Sequence, residues 1–258
     1  MDRKLQDTSD NSLELEGRAR ILSGWQLGLT ATVALCWSLF QLWYASPLPF
    51  VLRLGVFIDV PARGIHLAFA LLMCFCLFPA TRSSSDKKIR FSDFILSVIA
   101  GFCCFYLYLE YESVVDRNGV LLSIPVSFLG MDFSLPLEMI LGGSGIILLL
   151  EATRRAIGLP LVVVATIFLI YSLMGQSMPD VIAHQGLSLV RLIGYHWLGG
   201  EAIFGIPIGV SVDFIFLFVL FGGLLETAGG GQYFLNLAFA MVGKMRGGPA
   251  KAAILGSG

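Results

Sequence analysis

Long apolar runs separated by short polar turns set the pattern of this chain. Gln26 to Tyr44 carries no charge, and the helix-breaking Ser46-Pro47-Leu48-Pro49 follows it. A second run extends from Ile65 to Pro79, with Pro61 as an alternative start, and a third from Phe91 to Leu109, with Asp93 near its beginning. Leu137 to Thr153 and Pro160 to Gly175 are shorter, and Gly205 to Leu225 holds a single charge, Asp213. At about 1.5 Å per residue, helices of this length approach or reach the roughly 30 Å of a hydrocarbon core. Six spans are therefore predicted. The weakest is Leu137 to Thr153, about 25 Å long, with Glu138 and Glu151 at its ends. Glu151 precedes Arg155 in a favourable helical ion-pair order, which predicts that this helix continues to the turn at Gly158-Leu159-Pro160.

The remaining segments are amphipathic or polar. Leu189, Leu192, Ile193 and Trp197 fall on one helical face within the 176–204 connection. Phe234, Leu237, Ala238 and Met241 do so within Gln232 to Gly243, after the Gly229-Gly230-Gly231 run has stopped the preceding helix. Both segments are too short to cross and are predicted to lie along the interface. Glu110 to Pro136 reads as a long acidic connection with an Asn118-Gly119 turn and Pro125, its apolar patches resting on the membrane face. Residues 1–20 form a solvated, charge-rich tail. The expected fold is an all-α polytopic integral membrane protein with about six transmembrane helices plus interfacial amphipathic helices.

Composition agrees: 56% of residues are hydrophobic and only 14% charged, where a soluble domain carries about 25%. A net charge of -1 excludes a broad basic surface for nucleic acid, and the absence of a GxxxxGK[ST] loop removes the usual cradle for ATP. The lipid bilayer is the implied partner. Cys36, Cys74, Cys76, Cys103 and Cys104 all sit in apolar runs without metal-ligand spacing and are read as small core residues. With six alternating spans and a cytoplasmic N-terminus, all of the 17 basic residues except Arg53, Arg63, Arg117 and Arg191 fall inside.

Few residues offer chemistry. Asp213 is the first candidate for an ion or substrate path, because a carboxylate within a span costs about 2.5–3.5 kcal/mol and so faces protein or water. The competing reading is an acid reaching interfacial water, or capping backbone loosened by Pro207 and Gly209. Ser211 could offer a hydroxyl to an ion, or simply bond its own helix. Glu226 ends its span as a solvated acid. In Gly142-Gly143-Ser144-Gly145, a glycine-flanked serine could be an intramembrane nucleophile, but His66 is the only histidine within a span and lies in an earlier one. Small residues that let helices approach closely explain the same run. His184 and His196 read as surface histidines. No catalytic residue, metal ligand or cofactor is assigned.

The stretch from Gly205 to Ala253, with GIPIGVS, FIFLFVLFGGLLE, the glycine run and MRGGPAKAA, resembles the membrane component of tripartite ATP-independent periplasmic (TRAP) transporters. LLLEATRRAIGLPLVVVA extends the likeness upstream. The resemblance is to the fused, TAXI-type permease in which small and large membrane subunits share one chain. It implies a cytoplasmic tail over 1–20, a small-subunit-like module of about five spans over 21–175, an external amphipathic connection over 176–204, and the start of a large-subunit transport module over 205–258. It further implies a bacterial inner-membrane location and a soluble periplasmic binding protein that delivers an organic anion, commonly a carboxylate. Uptake would be coupled to sodium rather than ATP, with elevator-like movement of the large-subunit portion on a small-subunit scaffold. Gly256 and Ser257 would begin the Ser/Gly/Asn-rich hairpin associated with sodium. These residues alone are then expected to be the N-terminal part of a longer transporter, able to insert but not to transport. A membrane-embedded enzyme such as a serine protease built on Ser144, and a non-transporting scaffold, are the alternatives.

Overall fold

The computed structural model describes residues 19–81, 88–117, 121–128 and 131–242, together with 248, 250, 251 and 254. It divides into two compact units, Met1–Val210 and Ser211–Gly258. The first contains helices α1 (Trp25–Ala45), α2 (Leu48–Leu52), α3 (Asp59–Leu77) and α4 (Phe91–Asp116), strands β1 (Ile124–Phe128) and β2 (Met131–Leu135), and helices α5 (Leu137–Ala156), α6 (Leu159–Leu173), α7 (Leu189–Ile193) and α8 (Ile206–Val210). The second opens with a π turn, Ser211–Ile215, and continues with α9 (Phe216–Thr227) and α10 (Gly230–Val242).

Each of the six predicted spans is helical. Among the described residues, four helical stretches are long and apolar enough to cross a membrane: Trp25–Ala45, Asp59–Leu77, Phe91–Asp116 and Ile206–Thr227. Leu137–Ala156 has 20 residues, enough for about 30 Å, but carries Glu138, Glu151, Arg154 and Arg155. Leu159–Leu173 is apolar but only 15 residues long. The second span begins at Asp59, so Pro61 lies in the first turn, where its missing N–H breaks no helical bond.

Three expectations are corrected. Glu110 to Asp116 is helix, because α4 runs through to Asp116, and the connection that follows contains an antiparallel strand pair, with Ile124 opposite Leu135 and Phe128 opposite Met131. Among the described residues the regular structure is thus helical apart from this hairpin; Asn118 and Gly119 lie outside them. The segment over 189–198 does not rest on lipid with its apolar face. Leu192, Ile193 and Trp197 are buried in the protein core, and only Leu189 of the predicted face is exposed. Finally, the glycine run does not stop a helix as a block: α9 ends at Thr227, Gly229 supplies the left-handed turn at φ 79°, and Gly230 and Gly231 already belong to α10. In α10, Ala238 is buried, whereas Phe234, Leu237 and Met241 are exposed.

The core of the first unit is the antiparallel pair α3 and α4. A Cβ at Gly64 would lie 3.1 Å from the Cys104 carbonyl, and one at Gly101 would lie 3.2 Å from Leu72, so both glycines permit a close helix crossing. Phe75, Ala100, Cys103, Cys104 and Leu107 are fully buried between the helices. The two cysteines pack there as the small hydrophobes expected of them.

The Gly142–Gly145 run is also a packing device. A Cβ on Gly145 would sit 2.2 Å from the indole of Trp197, and one on Gly142 would sit 2.5 Å from Ile193. The indole N–H of Trp197 donates to the Cys103 carbonyl at 3.2 Å, which satisfies its one polar atom inside the core. That socket draws the 189–198 segment off the interface: a fully buried indole gains more from a protein slot than from lipid.

Candidate functional site

Charge is concentrated at the two ends of the α3–α4–α5 bundle. At one end, Asp93 accepts from the Arg20 guanidinium and from Arg155 Nη1 at 2.9 Å. All three side chains are almost fully buried. Arg20 also donates to the carbonyls of Phe75 and Cys76 at 3.2 and 2.9 Å, its backbone N–H donates to Leu77, and Arg155 reaches the Phe78 carbonyl. The last carbonyls of α3, which have no helical donors, are thereby satisfied by arginine. Glu151 accepts from Arg154 Nε and Arg155 Nε, each at 2.7 Å, so the predicted Glu151–Arg155 pair is present but serves a larger network.

At the opposite end, Glu138 is buried rather than solvated at a helix tip. It accepts from the Tyr106 hydroxyl at 2.9 Å, from the Leu122 backbone N–H at 2.7 Å and from the Arg117 guanidinium. One carboxylate thus joins α4, the base of the hairpin and α5. Sequence reading missed both Asp93 and Glu138 as network centres.

The predicted ion-path residues Ser211 and Asp213 lie together on the π turn of the second unit. Pro207 falls in the first turn of α8 and loosens no backbone; the irregularity begins at Ser211. A π turn widens the hydrogen-bond ladder within an apolar helix, and such turns recur at functional sites. Asp213 is exposed and Ser211 half-buried. Gly256 and Ser257 lie outside the described residues. In the first unit, Gly209 packs on Arg63, whose guanidinium would lie 3.0 Å from a Cβ there and donates to the Phe204 carbonyl at 3.0 Å. Arg63 therefore ties α3 to the start of α8, a contact that spacing gave no sign of.

The other candidates have structural partners. Ser144 Oγ donates to the Leu141 carbonyl at 3.0 Å and lies 3.4 Å from Cys103 Sγ, while His66 Nδ1 accepts from the Trp37 indole at 3.2 Å. Serine and histidine are thus each held by different neighbours. His184 bonds the Tyr171 carbonyl and the Gly186 N–H, and His196 the Leu192 carbonyl. Among the described residues, no group of three or more metal-ligating side chains converges.

Apolar helices of bilayer length define a polytopic membrane protein. Residues 144–258 match the family described as Tripartite ATP-independent periplasmic transporter, DctM component. That is a transporter family, not an enzyme family. No curated protein and no solved structure matches the chain.

Proposed function

We propose that this protein is the fused membrane permease of a TRAP-type secondary transporter in a bacterial inner membrane, taking up an organic anion, in particular a carboxylate, with a sodium gradient. The family match over 144–258 carries this reading. A soluble periplasmic binding protein delivers the substrate. Residues 21–175 form the small-subunit-like module, 176–204 the connection, and 205–258 the start of the transport module. The test is uptake into proteoliposomes holding the protein as its gene encodes it, with a panel of small radiolabelled mono- and dicarboxylates. Accumulation should require the binding protein on the outside; uptake that persists without it would overturn the tripartite reading.

Six crossings and a cytoplasmic N-terminus belong to the same proposal. The buried network supports alternate crossing by α3, α4 and α5, because it gathers the C-terminal ends of α3 and α5 and the N-terminal end of α4 at one level. With the native cysteines replaced, single cysteines at Ser84, Asn118 and Gln185 are expected to label from inside, outside and outside respectively. Labelling at position 84 from the periplasm would contradict the topology.

Ser211 and Asp213 are proposed to line the ion or substrate path where the helix ladder widens. Asp213→Asn is expected to lower sodium-driven uptake at least tenfold while leaving expression and insertion unchanged. Unaltered uptake and pH dependence would show that the acid only reaches interfacial water.

A further inference from the structure

The loop between α6 and α7 is built around one imidazole. His184 is half-buried, and its ring lies on Gly175, where a Cβ would come within 2.3 Å of it. On the other side, Gly186 turns the chain at φ 69°, and a Cβ there would lie 3.2 Å from the Leu173 carbonyl. The socket thus needs glycine on one wall for space and on the other for backbone conformation. Both ring nitrogens are bonded inside it: Nε2 lies 3.0 Å from the Tyr171 carbonyl oxygen, and Nδ1 lies 3.0 Å from the Gly186 backbone nitrogen. Around the ring, the His184 N–H donates to the Gly175 carbonyl at 3.1 Å, the Leu187 N–H to the Ser172 carbonyl at 2.8 Å, and Gln176 Nε2 to the Gln185 carbonyl at 2.9 Å.

These partners fix the protonation state of the ring. A carbonyl only accepts and a backbone N–H only donates, so Nε2 carries the hydrogen and Nδ1 offers its lone pair. Only the neutral imidazole satisfies both. A proton taken from water onto Nδ1 leaves the Tyr171 bond in place but turns the acceptor facing Gly186 into a donor, so that two N–H groups meet. The titratable side chain in contact with the ring is Tyr171, with ring centroids 4.6 Å apart, and its hydroxyl is engaged with the Ile182 carbonyl at 2.8 Å. Among the described residues, neither Asp180 in the loop nor Arg191 on α7, both exposed, bonds the imidazole, so no neighbouring charge holds it in one state.

We propose that His184 is a proton-operated clamp on this loop: the neutral ring holds it closed, and the protonated ring releases Gly186 and Leu187 while keeping hold of Tyr171. The clamp does not depend on transport; that it senses the pH outside the cell rests on the topology proposed above. Hydrogen–deuterium exchange of the whole protein at about pH 8 and about pH 5, which bracket the range where histidine ordinarily changes charge, tests it once labelling times are scaled to the intrinsic exchange rate. In peptides covering Gly186 and Leu187, protection should fall by about tenfold at the lower pH, while the amides of α6 stay protected. His184→Ala should show the low protection at both pH values, and Asp180→Asn should keep the pH dependence of the unaltered protein. Equal protection of the unaltered protein at both pH values, a closed loop in His184→Ala at the higher pH, or loss of the pH dependence in Asp180→Asn would each overturn the clamp.

Discussion

Asp93→Ala will destabilise the protein by about 3–5 kcal/mol, among the largest effects available to any single polar substitution in the bundle. Asp93 lies between the guanidinium groups of Arg20 and Arg155, and removing it strands two positive charges in a site that water does not reach. Both arginines also hold carbonyls at the end of α3, so they cannot turn away without unsatisfying that helix end. Asp93→Asn keeps an acceptor but not the charge and should cost less. Combining Arg20→Met, Asp93→Leu and Arg155→Met removes the stranded charges and should be no worse than Asp93→Ala alone, a non-additivity that separates a buried ion cluster from ordinary packing. Thermal unfolding in detergent measures all four proteins. An Asp93→Ala protein within about 0.5 kcal/mol of the parent would mean that the cluster is hydrated.

The second large effect belongs to the Trp197 socket. Trp197→Ala should cost about 3–5 kcal/mol through the cavity it leaves. Gly145→Leu should cost at least as much or prevent folding, because even a Cβ at this position would overlap the indole. Gly145→Ala should be strongly destabilising in the parent but nearly neutral in the Trp197→Ala background, giving a coupling of about 2–3 kcal/mol. Simple additivity of the two substitutions in a double-mutant cycle would remove the socket from the account.

What could be read in advance followed from local spacing. The six helices came from run length, the Glu151–Arg155 pair from its i,i+4 offset, and the function of Gly142–Gly145 as a close-approach surface from residue size. What could not be read was the partner across the bundle. Leu192, Ile193 and Trp197 were correctly placed on one face, but an apolar face suits lipid and protein equally, and only the facing glycines decide between them. Glu138 at the beginning of an apolar run reads as a solvated helix end. Its burial depends on Arg117 and Leu122, which approach through the hairpin rather than through helical periodicity. Arg20 and Asp93, 73 residues apart, leave no mark in any window that a pattern reading uses. The hairpin was missed because its two five-residue strands are short and the first contains Pro125. The π turn at Ser211–Ile215 has a partial signal in the lone charge of its span, Asp213, although the competing sequence reading places the loosened backbone at Pro207 and Gly209.

Sodium-driven uptake tests the central claim most directly. The protein as its gene encodes it, reconstituted with its binding protein outside and no nucleotide on either side, is given an inward sodium gradient and radiolabelled carboxylates. The account predicts concentrative uptake that collapses when a sodium ionophore dissipates the gradient. Uptake unaffected by the ionophore, or dependent on added ATP, would contradict it.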